Sequence, residues 1–166
     1  MKIYWKNKIT KFINYFDHFT RIISYVAGSL LILMMLFIVR EVFGRYFFNS
    51  PTYWSLELCI MLFVALIYLG SAYTTNIGKH PRADFLYCKY KGKVKVILDT
   101  VIYTVCIIYT LVMVQQGIIM ALEALRYSET ASGVFRIPLF PVKILVPLGS
   151  FLVIVSFIIK IIKIYL

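Results

Sequence analysis

IISYVAGSLLILMMLFIV, residues 22–39, runs from Arg21 to Arg40 without a charged side chain. A hydrocarbon core about 30 Å thick is crossed by about 20 helical residues, with roughly 17–25 acceptable. The stretch therefore has the length of one membrane span. Its apolar residues are continuous rather than alternating, which selects a helix over a barrel strand, and a helix satisfies its own backbone in lipid. The same pattern recurs outward along the chain. No charge falls between Glu57 and Lys79, or between Asp99 and Glu123, and the stretch Arg136–Lys160 is broken only by Lys143 around the run Ile144–Ile159. The expected fold is an all-α integral membrane protein: one four-helix domain over 1–166, with spans near 22–39, 58–78, 100–122 and 138–159.

Composition agrees. The chain is 61% hydrophobic and 15% charged, against about 45–50% and about 25% in soluble domains. A formal net charge of +11 would suggest nucleic acid in a soluble protein, but in a membrane protein Lys and Arg gather on the cytoplasmic side. Lys2, Lys6, Lys8, Lys11 and Arg21 precede the first span; Lys79, Arg82, Lys89, Lys91, Lys93 and Lys95 lie between the second and third; Lys160 and Lys163 end the chain. The opposite side carries only Arg40 and Arg45, then Arg126, Arg136 and Lys143. The N-terminus, the middle loop and the C-terminus are therefore expected in the cytoplasm. The first apolar run has no small-residue cleavage site behind it, so it reads as a retained helix rather than a signal peptide.

Two segments have the pattern of interfacial helices. Ile9, Phe12, Ile13, Phe16, Phe19 and Ile23 recur at helical spacing among Lys8, Lys11 and Asp17, with Tyr4 and Trp5 as interface-seeking aromatics. An N-terminal amphipathic helix on the inner leaflet, held by apolar burial and by lysines near anionic lipid, is expected. In the middle loop Ala83, Leu86, Tyr87, Tyr90, Val94, Ile97 and Leu98 form a similar stripe. Either could instead dock on a partner's rim.

Chemistry within the membrane needs polar groups at depth, where ionisable side chains are costly and usually functional. The first three spans hold none in their middles. Gln115 and Gln116 are expected to bond across helices or to sit near the outer interface. Haem would need histidines inside spans, whereas His18 and His80 fall outside them. Cys59, Cys88 and Cys106 contain no C-x-x-C pair and read as apolar fillers. No phosphate loop, H-E-x-x-H pair or G-x-S-x-G elbow is present. No catalytic site, cofactor or metal is therefore expected. Charged residues cluster at helix ends: Arg40, Glu41 and Arg45 close the first helix and Glu57 opens the second. An ion pair between one of these arginines and Glu57 is expected to fix the hairpin, with Pro51 in the turn and Trp54 as interfacial anchor. Pro147, inside the last span with Gly149 after it, should kink or loosen its first turns. The small clusters Ala27–Ser29 and Gly70–Ala72 are candidates for close helix packing.

Several of these stretches together resemble one family. Arg45–Tyr46 is followed by Asn49–Ser50–Pro51 and then WSLEL at Trp54–Leu58. FVALIYLGSAY follows at Phe63–Tyr73, containing Gly70. HPRADF at His80–Phe85, with His80 and Asp84, and VPLGS at Val146–Ser150 complete the set. In order and helix placement the chain is similar to the small (DctQ-like) membrane subunit of tripartite ATP-independent periplasmic, or TRAP, transporters. It departs from the family in having Leu56 rather than an acid before Glu57, and in Pro81 after the histidine.

The resemblance implies a multi-pass protein of the bacterial inner membrane without catalytic activity. It would scaffold a large membrane subunit that binds substrate and sodium, while a periplasmic binding protein delivers an organic acid such as a C4-dicarboxylate or a sialic acid. Sodium coupling would belong to the large subunit. Partners would be these two proteins and membrane lipids, not nucleic acid. Arg45, Trp54, Glu57, Gly70, His80, Asp84, Pro147 and Gly149 would serve structure or partner contact, and Arg126, Glu129 and Arg136 could meet the binding protein. An accessory subunit of another membrane complex, or a standalone four-helix carrier, are the competing expectations; neighbouring genes for a large multi-spanning protein and a periplasmic binding protein would discriminate.

Overall fold

A computed structural model describes residues 2–50, 52–77, 93–131 and 136–165. Four of its helices are long and apolar enough to cross a membrane, and no strand occurs among the described residues. Helix α1 runs over Lys2–Phe47, α2 over Tyr53–Asn76 and α3 over Lys93–Arg126; a single turn, α4, covers Phe140–Lys143, and α5 covers Leu145–Tyr165.

The helices pack as a row rather than in chain order. α1 lies along α2, α2 against α5, and α5 against α3. The last helix is thus inserted between the second and third, and α1 and α3 form the two flanks. Burial follows from this order: α5 is the most enclosed helix, whereas the spanning parts of α1 and α3 are largely exposed along their apolar surface. Large exposed aliphatic side chains, unfavourable in water, are at home in hydrocarbon. The termini share one end of the row, where Lys163 Nζ meets Asp17 Oδ2 at 3.2 Å and Asn76 Nδ2 donates to Thr20 Oγ1 at 2.9 Å. Residues 48–50 and 52, 127–131 and 136–139 lie at the other.

Helix α1 differs from expectation in its continuity. Its 46 residues are about 70 Å long at 1.5 Å per residue, more than twice a hydrocarbon thickness. The N-terminal stripe and the first span are one unbroken helix, for no proline or glycine separates them around Arg21. Ile13 and Phe16 are buried with Ile159 of α5, while Phe12 and Phe19 of the same stripe are exposed. In the middle-loop stripe, Ala83, Leu86, Tyr87 and Tyr90 lie outside the described residues; Val94, Ile97 and Leu98 are exposed on the first turns of α3.

The helix stops have local causes. α1 ends where Asn49 takes the left-handed conformation (φ 49°), and Ser50 N–H donates back to the Gly44 carbonyl at 3.1 Å. Asparagine takes the left-handed place usually given to glycine, and the Ser50 bond spans one residue more than the six-to-one closure of a Schellman motif. α3 ends at Ser128 (φ 48°), with Glu129 N–H bonded to the Ala124 carbonyl at 3.0 Å. Between α4 and α5 the helix breaks at Ile144. Pro147 therefore falls in the first turn of α5, where a missing N–H leaves no intrahelical bond unmade.

Candidate functional site

The polar side chains of the loop end converge on Glu41, one turn before Arg45. One carboxylate oxygen of Glu41 accepts from Arg45 Nη2 at 3.0 Å and from the backbone N–H of Thr52 at 3.2 Å. The other accepts the Thr52 hydroxyl. Thr52 is the N-cap of α2, yet its side chain makes no bond to its own helix. The hydroxyl is used across the hairpin instead and also accepts from Arg40 Nη1 at 2.9 Å. The Arg40 guanidinium lies 5.0 Å from the centre of the Trp54 ring, and Phe37 meets that ring edge-on at 5.9 Å. Glu41, Thr52, Arg40 and Trp54 together form a clamp joining α1 to α2.

The expected ion pair between an arginine and Glu57 is not formed. Ser55 Oγ faces the Phe37 carbonyl of α1 at 3.4 Å, and Cys59 Sγ faces that of Met34 at 4.0 Å. These contacts fix which side of α2 looks at α1. Glu57 lies two residues from each, about 200° around the helix from either, so it points away from both arginines. Its Oε2 is buried without a hydrogen-bond partner among the described residues. Glu41, rather than Glu57, closes the hairpin.

At the same end, Lys143 of α4 is ion-paired with Glu129. The backbone between them is zipped by Ala131 N–H to the Ile137 carbonyl at 2.8 Å and Leu139 N–H to the Glu129 carbonyl at 3.0 Å. Glu129 is thus committed to its own loop. Arg126 lies over the Tyr127 ring, and Arg136 is exposed.

A second group of candidate residues sits in the helix crossings. A Cβ placed on Gly149 would lie 2.4 Å from the Tyr68 carbonyl oxygen and 2.7 Å from Tyr68 Cβ, so α5 touches the backbone of α2 there. Two turns further along the same face, Ser156 Oγ, fully buried, reaches the Ala72 carbonyl at 3.2 Å. On the other side of α5, a Cβ on Gly117 of α3 would meet Pro147 Cδ at 2.9 Å and its nitrogen at 3.1 Å. Pro147 and Gly149 therefore bring α5 close to α3 and α2 within one turn. In membranes helices associate through such small-residue contacts and short polar bonds. Gly70 is looser, 3.9 Å from Ala27 Cβ. Gly28, chosen with Ala27 for close packing, faces open space.

Of the eight candidates, Trp54 belongs to the clamp, Arg45 borders it through Glu41 on its own helix, and Pro147 and Gly149 are brought together by the crossing. Glu57 and Gly70 stand apart on α2. His80 and Asp84 lie outside the described residues. Sequence reasoning missed the roles of Glu41, Thr52 and Gly117. For Gly117 a signal existed: Gly117, Ala121 and Ala124 fall at helical spacing and all are buried. Among the described residues no group of three or more His, Cys, Asp or Glu side chains could hold a metal.

Compared with protein families, residues 17–165 match the model described as tripartite ATP-independent periplasmic transporters, DctQ component. A search of curated proteins gives no match.

Proposed function

Because the chain belongs to the DctQ component family of tripartite ATP-independent periplasmic transporters, we propose that it is the non-catalytic small subunit of such a transporter in a bacterial inner membrane. It scaffolds a large membrane subunit that imports an organic acid with sodium, the substrate being a C4-dicarboxylate, a sialic acid or a related anion delivered by a periplasmic binding protein. In this reading the termini and middle loop face the cytoplasm, in line with the lysine and arginine distribution. The clamp and the Glu129–Lys143 loop then face the periplasm, and the early part of α1 lies near the cytoplasmic headgroups.

The observation that carries the scaffold reading is the row of helices. The spans neighbour one another in the order α1, α2, α5, α3, the groove they share among the described residues is lined mainly by apolar side chains, and the two outer helices present broad apolar surfaces to lipid or to a partner. Its polar side chains serve packing: the hydroxyls of Thr75, Thr110 and Ser156 all bond backbone carbonyls. The test is reconstitution in liposomes. Sodium-dependent uptake is expected only when this chain, the large subunit and the binding protein are present together. Uptake by this chain alone would overturn the scaffold reading.

A further inference from the structure

The exposed flank of α3 has a polar pattern that lipid does not explain. Gln115 and Gln116 are exposed and make no hydrogen bond within the described residues. They lie about 10 Å inward from Glu123 along the helix axis, within the apolar span. The other polar side chains on the flanks are treated differently. On α1, Ser24 and Ser29 turn their hydroxyls onto their own backbone at 2.9 and 2.7 Å, and on α3 Thr100 and Thr104 do the same, each at 2.8 Å. A carboxamide carries two donors and an acceptor oxygen, and leaving these unmet in hydrocarbon is costly.

Gln116 belongs to a seam, and Gln115, about 100° round the helix from it, flanks that seam. Ile102, Tyr109, Gln116 and Glu123 follow one another at seven-residue intervals, and positions seven apart drift only about 20° on a straight helix. Val105, Val112 and Ile119 fill the alternate positions of the same repeat. All are exposed on one side of α3. This is the spacing by which a second helix packs knobs into holes at the shallow crossing common in membrane bundles. α3 already uses another heptad, Tyr103, Thr110, Gly117 and Ala124, for α5; these four are buried. The exposed seam is therefore a second, unfilled one. It borders a groove of about 440 Å³ between α2 and α3, with Ile67 and Tyr68 on one wall, Val105 and Tyr109 on the other, and Val153 and Phe157 of α5 as floor.

We propose that a transmembrane helix of the large subunit seats along this seam and groove, supplying hydrogen-bond partners to Gln115 and Gln116. The inference rests on the small-subunit reading above and adds which flank is covered: α3, not α1. Its test is co-isolation of a tagged large subunit with variants of this chain. Gln115→Leu/Gln116→Leu and Val112→Trp should each reduce the co-isolated large subunit at least tenfold. Ile32→Trp on the exposed face of α1 should leave the ratio unchanged. In a chain whose own cysteines are replaced by alanine, Val112→Cys carrying a thiol-attached photo-cross-linker should give a cross-link to the large subunit absent from the same chain without Val112→Cys. This readout does not depend on a destabilising substitution. Seam variants that co-isolate at the wild-type ratio, or a Val112→Cys cross-link joining two copies of this chain, would overturn the assignment alone. A wild-type chain that isolates with no large membrane subunit would overturn this proposal and the functional reading together.

Discussion

Replacing Gly149 by alanine tests whether the crossing of α5 on α2 sets the stability of the subunit. The added methyl would stand 2.4 Å from the Tyr68 carbonyl oxygen, where heavy atoms ordinarily keep about 3.5 Å. The helices must part by roughly 1 Å, and overpacking of this kind costs about 1–3 kcal/mol. The same parting stretches the 3.2 Å bond from Ser156 to the Ala72 carbonyl; interhelical bonds in membranes contribute ~0.6 kcal/mol on average. Alanine's better helix propensity offsets roughly 1 kcal/mol. The net loss is about 0.6–2.6 kcal/mol, a factor of roughly 3–80 in the folded ratio. In detergent, thermal unfolding followed by fluorescence-detected size exclusion should show a melting point lowered by several degrees. Gly28→Ala, whose methyl would meet nothing within 4 Å, is the matched control and should leave stability unchanged or raise it. A Gly149→Ala protein as stable as wild type, or an equal loss in the Gly28→Ala protein, would refute the steric reasoning.

Glu41→Ala removes the acceptor for the Thr52 N–H and hydroxyl and should cost about 1–3 kcal/mol, read as a lower melting point. Arg45→Ala removes only a largely exposed ion pair and should cost at most about 1 kcal/mol. Glu129→Lys should make the loop at 127–139 more sensitive to protease, and the charge-exchanged Glu129→Lys/Lys143→Glu chain should recover protection. Glu57→Ala should lower the amount of assembled complex or its transport rate without altering substrate preference in competition assays; an altered preference would count against a scaffold role. Reporter fusions that distinguish cytoplasm from periplasm should place the C-terminus in the cytoplasm and the 127–139 loop outside.

The spans were legible because charges punctuate the chain: Arg21, Arg40, Glu57, Asp99 and Glu123 bracket them, and the apolar runs between have the length a bilayer requires. The order of the helices was not legible. Helices apolar on all faces give no periodic stripe to separate the packed side from the lipid side, so nothing in the sequence placed α5 between α2 and α3. For the same reason Ala27 and Ala72 proved buried while Gly28, beside Ala27, did not. At the hairpin, charge sign alone offered two glutamates to the arginines. The choice depended on the rotation of α2 against α1, which Ser55 and Cys59 set through backbone contacts that no charge pattern reveals. Gln115 and Gln116 were visible as polar residues in a span, but their lack of a partner among the described residues emerges only from the exposure of α3.

The central claim is that this chain exists to hold another membrane protein. The most direct measurement is purification of the tagged chain from native membranes in mild detergent, with identification and quantification of the chains that accompany it. The account predicts a large multi-spanning membrane subunit in one-to-one ratio. A chain that purifies by itself and carries transport or turnover unaided would contradict it.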